Sequence, residues 1–422
     1  MNKKRFEYKW VILAVCFLMV FFCLGLCSSN KSRYFKAIAD TLNIERSALS
    51  ISDTIRFLIS ACINFFFGTL VLKFGIRKLM GFGFVALVGA VLCNGYGESL
   101  PVFYLGGALL GTGLAFTTTA MASILVKRWF TGKTGTILGI VLAANGLGGA
   151  LAAQIVGPVI DSGPYGYRDA YTGVAIAIAI VGVLAVVLIR EKPKDFEGEL
   201  VVKNKKKARG GGWIGVEVSA AKGLGYFIPS CIGIFLTGMV LSGVNGIGSA
   251  HLKDMGLDGG YVDDVVSIHS LVLLCSKMLA GVLYDKKGLR TMLTLCNTVG
   301  AIAMFALALV GQSTFGLVMA MVWSVTSSLS LPMETIGVTL VASDLYGNKA
   351  FDKMLGIMLA LNHLGYAVGG YVINLTYDIF GSYRNGAVIF GVILLIVTIM
   401  YQFIITSAHK MRKQIEAEAA EV

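Results

Sequence analysis

The amino-acid sequence predicts an all-α membrane protein with twelve transmembrane helices, arranged as two pseudo-symmetric halves of six. Hydrophobic residues make up 56% of the 422 residues and charged residues only 14%, whereas soluble domains carry roughly 25% charged residues. Apolar runs long enough to cross a bilayer recur along the whole chain. A short basic turn is also repeated at half the chain length, which indicates two related membrane halves.

The spans are placed wherever an apolar run reaches the roughly 20 residues that a bilayer requires. Residues 1–190 form the predicted N-terminal half, 191–222 a basic cytoplasmic linker, 223–408 the C-terminal half and 409–422 a cytoplasmic tail. Spans 1 to 6 are predicted at 9–39, 47–73, 78–97, 102–127, 134–161 and 167–190. Spans 7 to 12 are predicted at 223–250, 262–285, 290–311, 315–343, 353–380 and 384–407.

The repeated turn follows span 2 in the first half and span 8 in the second. It reads Gly68-Thr-Leu-Val-Leu-Lys-Phe-Gly-Ile-Arg77 and then Gly281-Val-Leu-Tyr-Asp-Lys-Lys-Gly-Leu-Arg290, with the two copies 213 positions apart. Asp285 stands where the first copy has Leu72. The residues shared by both copies are Gly68, Leu70, Lys73, Gly75 and Arg77 in the first and Gly281, Leu283, Lys286, Gly288 and Arg290 in the second.

This pattern, G-x-L-x-D-[RK]-x-G-x-R, resembles the signature of the major facilitator superfamily at its loops between helices 2 and 3 and helices 8 and 9. The resemblance covers nearly the whole chain. It implies the major facilitator fold and a permease that works by rocking its halves around a midplane site. It also implies that the repeated turns and Asp285 form the gating motif of the transport cycle.

The positive charge of the chain is a topology signal. The net charge is +12, and 27 of the 36 lysines and arginines fall at the chain ends or in alternate gaps between spans. Such an excess marks the cytoplasmic side. We therefore predict cytoplasmic termini and a multi-pass protein of the plasma membrane, with the lipid bilayer rather than nucleic acid as its large-scale partner.

Enzyme and metal signals are missing from the sequence. It contains no G-x-S-x-G, no H-E-x-x-H and no G-x-x-x-x-G-K-[ST] phosphate loop, and its eight cysteines lie in apolar runs without metal-ligand spacing. We therefore predict no catalysis, cofactor or metal. Without a phosphate loop, ion or substrate gradients remain as the driving force.

Ionisable residues at membrane depth are candidates for function, because a charge is costly there. Lys277 in span 8 lies about 12 Å from the inner end of its helix at 1.5 Å per residue. Glu334 in span 10 and His363 in span 11 lie about 15 Å from theirs. Three ionisable groups on different helices thus reach one depth, near the middle of a core about 30 Å thick.

A lysine and a carboxylate in a low dielectric favour each other's charged form. Protonation of Glu334, or an anion drawn to Lys277, would uncouple the two and so link proton and anion movement. Pro332 predicts a kink beside Glu334. The alternatives stay open: Lys277 snorkels to the inner interface, the pair only holds spans 8 and 10 together, and His363 is a packed, hydrogen-bonded histidine.

Further polar candidates lie in the first half. Lys31 and Arg33 are over 30 Å from Lys9 by the same ruler, towards the outer face, where they either meet lipid headgroups or line an outer cavity. Arg56 is predicted to pair with Asp53 one turn earlier. At mid-depth the cavity candidates include Thr118 and Asn145, which either contact substrate or only bond neighbouring helices.

A narrower resemblance rests on three short patches. Trp129-Phe-Thr-Gly-Lys133 and the small residues around Asn145-Gly146 are similar to the helix 4–5 region of monocarboxylate transporters and oxalate–formate antiporters. Tyr34-Phe-Lys-Ala-Ile38 resembles the end of helix 1 in the monocarboxylate group. In that wider group a basic residue on helix 8 is implicated in binding the carboxylate, and Lys277 matches its place.

The sequence departs from the patterns of these two transporter groups at two positions. The antiporters' helix 11 lysine falls at Asn362 here, beside His363, so one of two expected cations is missing and a monoanion is easier to accommodate than a dicarboxylate. The monocarboxylate group's acidic partner on helix 8 falls at Leu273. Glu334 is the residue that would substitute for it.

The sequence therefore predicts a monomeric secondary transporter for a small organic anion, driven by proton symport or by exchange with a counter-anion. The substrate-binding candidates are Lys277, His363, Asn362, Arg33, Lys31, Asn145 and Thr118, with Glu334 as the proton-coupling residue. Export of cationic or amphipathic drugs is a second transport reading, because Glu334 offers an acid. A polytopic sensor without transport is a third.

Overall fold

The computed structural model describes residues 3–28, 31–130, 132–160, 162–191 and 215–421. Within them the secondary structure is helical, with no strand. The chain divides into two compact units, residues 1–206 and 207–422, and each is described by itself. The domain boundaries given above remain predictions.

In the first unit each predicted span corresponds to a helix, and two of the spans are interrupted. The helices are Lys3–Met19, Val20–Leu26 and Lys31–Leu42 (span 1), Arg46–Phe74 (span 2), Ile76–Tyr96 (span 3), Leu100–Thr117 and Thr119–Trp129 (span 4), Thr134–Ile160 (span 5) and Gly166–Leu188 (span 6).

The second unit repeats this plan. Its helices are Val218–Ala221, Phe227–Asp254 (span 7), Gly259–Lys287 (span 8), Leu289–Ala308 (span 9), Thr314–Ser330 and Leu331–Glu334 (span 10), Ile336–Phe380 (the rest of span 10, then span 11) and Tyr383–Glu421 (span 12). Gly347 separates the two parts of Ile336–Phe380, with φ 72° and ψ −166°.

The predicted fold is confirmed. Eleven of the described helices are long and apolar enough to cross a membrane, and Phe227–Gly243 adds a shorter apolar stretch in span 7. The spans are helical because hydrocarbon offers no partner to backbone N–H and C=O groups, which must be satisfied within each segment.

The α-helix is interrupted in three spans, and only one of the interruptions was predicted. Val20–Leu26 in span 1 is a π-helix, and span 4 breaks at Thr118 (φ −121°, ψ −125°). The third lies where Pro332 predicts a kink: Leu331–Glu334 is a 3-10 turn. Proline cannot donate a backbone hydrogen bond, so the α-helical ladder fails there. Span 12 also continues beyond its predicted end, and the tail is helical as far as Glu421.

The two copies of the repeated turn have the same backbone geometry. Gly75 ends span 2 with φ 77° and ψ 157°, and Gly288 ends span 8 with φ 85° and ψ 175°. This region of backbone space is essentially restricted to glycine. The amide of Gly75 donates to Val71 O at 3.0 Å and that of Gly288 to Tyr284 O at 2.7 Å. The shared glycine is thus explained by the turn that it makes.

The arginine of each copy donates a hydrogen bond to a residue at the end of the last span in its own half. Arg77 Nη2 donates to the Ile189 carbonyl, just after span 6, at 2.9 Å. Arg290 Nη2 donates to Thr406 Oγ1, near the inner end of span 12, at 2.7 Å. Each arginine therefore fastens the last span of its own half to the turn.

The predicted linker at 191–222 lies outside the described residues from 192 to 214, and each of its two described ends forms a hydrogen bond with its own unit. Glu191 accepts a hydrogen bond from the Ile76 amide at 2.7 Å, at the start of span 3. In the second unit Val216 N donates to Tyr346 O at 3.1 Å. Both linker ends are thereby fixed to their own units.

Candidate functional site

The first unit holds a half-buried group of three charges on spans 1 and 2. Lys31 Nζ forms an ion pair with Asp53 Oδ1. Arg56 Nε lies 2.6 Å from the same oxygen. The Asp53–Arg56 pair predicted from the sequence is therefore present, and Lys31 joins it from span 1. Two cations share one carboxylate, which leaves an excess of one positive charge.

A cavity of about 20 Å³ lies beside these charges, room for about one water-sized molecule or ion. Tyr34 is 1% exposed, and its hydroxyl has no hydrogen-bond partner among the described residues. The ring of Tyr34 stacks on Tyr171 with centroids 3.9 Å apart. The polar residues that line the cavity with Lys31 and Arg56 are Ser28, Tyr34, Ser52, Asn94 and Tyr171.

The arrangement of this cluster has a chemical consequence. A buried polar group is stable only when its hydrogen bonds are made and a buried charge only when it is balanced. The cavity offers a hydroxyl donor and unbalanced positive charge, so a small anion or the carboxylate end of a larger one fits its chemistry.

Arg33 is not part of this cluster. Its side chain is exposed, and its guanidinium lies against Gly157 of span 5. Lys31 instead faces span 2. Because residues two apart on a helix point in different directions, the two cations that the sequence groups together have different surroundings.

The mid-depth candidates of the first unit are Thr118 in span 4 and Asn145 in span 5. Thr118 Oγ1 donates to Leu114 O at 2.6 Å, within its own span, at the break in span 4. Asn145 is half-buried in span 5, where that helix meets span 1 closely: a Cβ on Gly25 would lie 2.7 Å from Gly148 Cα and 2.9 Å from Asn145 O. Substrate contact by either side chain remains a prediction.

In the second unit Lys277 is the most buried of the predicted charges, at 3% exposure. Glu334 is the charged group whose electrostatic field acts on it. Glu334 is half-buried and closes the 3-10 turn of span 10. The pairing expected from their depth remains a prediction, and Lys277 lies inside the second unit rather than at its surface.

Asn362 and His363 are neighbours in span 11 with different surroundings. Asn362 is fully buried against span 7, where a Cβ on Gly238 would lie 2.9 Å from its Nδ2. Neither amide atom of Asn362 has a hydrogen-bond partner among the described residues, so a ligand or water has polar groups to satisfy there. His363 is half-buried. Their binding roles remain predictions.

Sequence reasoning missed two residues. Asp53 was expected to pair with Arg56 alone, because its contact with Lys31 depends on how spans 1 and 2 pack. His269 in span 8 is the second, an ionisable residue in an apolar run. The depth argument that singled out His363 applies to it equally.

Metal and redox sites find no support in the part of the chain that the structure describes. No group of three or more His, Cys, Asp or Glu side chains is arranged to hold a metal ion there. All eight cysteines are free, and Cys16, Cys23 and Cys296 are buried, as expected of small apolar residues within spans.

A family model described as the Major Facilitator Superfamily matches residues 11–214 and 230–421. The chain belongs to the major facilitator superfamily. This family consists of membrane transporters of small molecules. The predictions of a transporter, of a multi-pass membrane location and of a small-molecule substrate are therefore confirmed.

Two curated proteins are similar in sequence. The chain is 25% identical over 390 residues to the uncharacterized MFS-type transporter YcxA of Bacillus subtilis strain 168, covering 89% of this chain and 90% of that one. It is 25% identical over 173 residues, 41% of each chain, to the oxalate:formate antiporter of Oxalobacter formigenes. The second match covers less than half of either protein.

Solved structures of the superfamily share the fold. The proton:xylose symporter XylE matches with a TM-score of 0.69 at 16% sequence identity, over 96% of this chain and 97% of that one. The transporter FucP in its outward conformation matches with a TM-score of 0.66 at 13% identity, over 94% and 99%. At such low identity these similarities establish the fold alone.

Proposed function

We propose that this major facilitator is a secondary transporter of small monovalent organic anions, of the monocarboxylate type, in the plasma membrane. It works by alternating access, as a proton symporter or an anion exchanger, as a monomer and with both termini in the cytoplasm. The observation that carries the proposal is the Lys31–Asp53–Arg56 cluster, in which two cations face one acid beside a small polar cavity.

Charge balance supports an anion over a cation. In the first unit the cluster has one positive charge in excess, and a negative ligand would neutralise it. In the second unit Lys277 and Glu334 balance only while Glu334 is ionised. A proton on Glu334 would remove its negative charge from the surroundings of Lys277, and the bound anion would then replace the carboxylate. Such an exchange of partners couples one proton to one anion.

A monoanion fits better than a dianion. Span 11 offers Asn362 where the antiporters carry a lysine, and its amide is neutral, buried and unpartnered among the described residues. The partial similarity to an oxalate:formate antiporter is consistent with a carboxylate substrate, and formate is a monoanion. The amide would donate to a carboxylate oxygen without adding a second charge.

The test is uptake into proteoliposomes of radiolabelled formate, acetate, lactate and oxalate, with and without an inward proton gradient. We expect saturable uptake of a monocarboxylate by the wild type and its loss in Lys277→Ala and in Lys31→Ala. Lys253→Ala is the matched control, because this lysine is exposed at the outer end of span 7. Stimulation by the gradient would indicate symport, and exchange without it an antiporter.

Other outcomes would overturn the proposal. Uptake that persists in both lysine variants would show that neither lysine is needed to bind the anion. Competition by cationic dyes but not by carboxylates would favour drug export, and the absence of any transport would favour a sensor.

A further inference from the structure

His269 lies in span 8, eight residues before Lys277, and so about 12 Å further towards the outer face. It is about 24 Å from Asp285 at the inner end of the span, within the outer third of a core about 30 Å thick. Both residues interact with span 10, Lys277 through Glu334 and His269 through a group of serines. Span 8 therefore carries two ionisable groups along one helix–helix seam.

Span 10 fixes which nitrogen of the imidazole carries the proton. His269 Nδ1 lies 3.2 Å from the Ser324 carbonyl oxygen and 3.0 Å from Ser327 Oγ. A carbonyl oxygen can only accept, so Nδ1 carries the hydrogen. The Ser327 hydroxyl in turn donates to Ser324 O at 3.3 Å. The neutral ring is thereby held as the Nδ1–H tautomer, with the lone pair on Nε2.

An aromatic ring covers one face of the imidazole. Trp323 stacks on His269 with ring centroids 5.6 Å apart and planes 14° apart. The indole is 3% exposed, and its Nε1–H has no acceptor among the described residues. A cation over an indole face is attracted by the ring, so the tryptophan stabilises an imidazolium and adds a second donor without a partner beside it.

No acid is among the groups that contact the His269 imidazole in the described part of the chain. The groups that contact the imidazole from span 10 are a carbonyl, a hydroxyl and an indole, and none of them titrates near neutral pH. Protonated His269 would therefore carry a positive charge that no acid balances within the described contacts. Asp264, five residues before His269 on span 8, is exposed. The other charged or ionisable groups on span 8 and on the helices packed against it are Asp263, Lys277, Asp285, Lys286, Lys287, His251, Lys253, Asp254, Arg290, Glu334, Asp344, Lys349, Asp352, Lys353, His363 and Asp378.

We propose that His269 and Trp323 form an outer binding station for a small carboxylate, occupied when the imidazole takes a second proton on Nε2. The proton comes from water on the outer side, and no covalent bond is made or broken. The imidazolium then offers one positive charge and an N–H donor, and the indole a second donor, to one carboxylate. This inference rests on the proposed function: the station would load an anion with its proton before Lys277.

Histidine NMR in lipid nanodiscs tests the station without transport. The chain has four histidines, so ¹⁵N-histidine labelling with His269→Gln assigns the signal. At pH 6.5 we expect acetate to increase the imidazolium fraction of His269 and to leave His251 unchanged. His251 is a buried histidine of span 7 with its own backbone contact, to Leu307 O at 3.1 Å. No response to acetate, or an equal response to chloride, would overturn the carboxylate station.

Uptake kinetics supply the second measurement. Between pH 5.5 and 7.5 the wild-type KM for acetate should rise at least about tenfold, because the charged fraction of a buried imidazole falls by that factor or more over this range. His269→Gln should show a high KM at both pH values with kcat retained, whereas His251→Gln should keep the wild-type profile. A wild-type profile in His269→Gln would overturn the station. If the wild type takes up no carboxylate the proposed function fails, and the NMR measurement still decides the station.

Discussion

Asp53 in span 2 holds Arg56 one helical turn later, with Nε 2.6 Å from Oδ1, and the same oxygen pairs with Lys31 of span 1. One carboxylate thus joins two helices and keeps two half-buried cations together. Because both cations depend on it, Asp53 is more important for stability than a simple intrahelical pair would suggest.

Asp53→Asn should destabilise the protein by about 1–3 kcal/mol, because it leaves two half-buried cations facing each other. The measurement is thermal unfolding of purified protein in detergent. The double variant with Lys31→Met should recover part of the loss. Glu98→Gln is the control, since Glu98 pairs with Arg168 at the surface and is 76% exposed. If Asp53→Asn and Glu98→Gln lowered the unfolding temperature equally, the central role of Asp53 would be contradicted.

The glycines of the repeated turns should not tolerate alanine. Gly75→Ala and Gly288→Ala should each cost about 1–3 kcal/mol, because both positions adopt backbone angles that a Cβ makes unfavourable. Gly173→Ala in span 6 is the matched control, since a Cβ there meets nothing within 4 Å. Melting temperatures of the three variants, measured in one detergent, check this. A loss at Gly173 as large as at the turns would argue against the backbone explanation.

Glu191 should act as a hydrogen-bond acceptor rather than as a charge at the start of span 3. Glu191→Ala removes the partner of the Ile76 amide and should cost about 1 kcal/mol, as for the loss of a helix N-cap. Glu191→Gln keeps an acceptor oxygen and should cost less. Chemical unfolding of both variants separates the two cases. Equal losses would show that the negative charge itself is required.

Glu334 should determine coupling more than binding. In Glu334→Gln the side chain can no longer ionise, so we expect uptake driven by a proton gradient to be lost while anion exchange at equal pH persists. Both activities are measured in the same proteoliposomes. Glu217→Gln is the control, because Glu217 only pairs with Lys349 at the surface, at 2.8 Å. Gradient-driven uptake that survives in Glu334→Gln would remove this residue from the coupling step.

Some features of the candidate site could be anticipated and others could not. The 3-10 turn at Leu331–Glu334 follows from the chemistry of Pro332, and the Asp53–Arg56 pair follows from helical spacing; both are local. The contact of Lys31 with Asp53 joins two spans, and the surroundings of His269 join spans 8 and 10. Such contacts depend on how helices rotate against each other, which hydropathy does not encode.

The sequence by itself determined the membrane class and the twelve spans, because a bilayer admits only long apolar helices. It also determined the twofold repeat, because the same motif occurs around Gly75 and around Gly288. The tertiary structure decided which polar groups are neighbours. Arg33 and Lys31 have different surroundings, Lys31 forms an ion pair with Asp53, and His269 contacts Ser324. These outcomes depend on side-chain packing between spans, where a rotation of one helix exchanges a lipid-facing residue for a buried one.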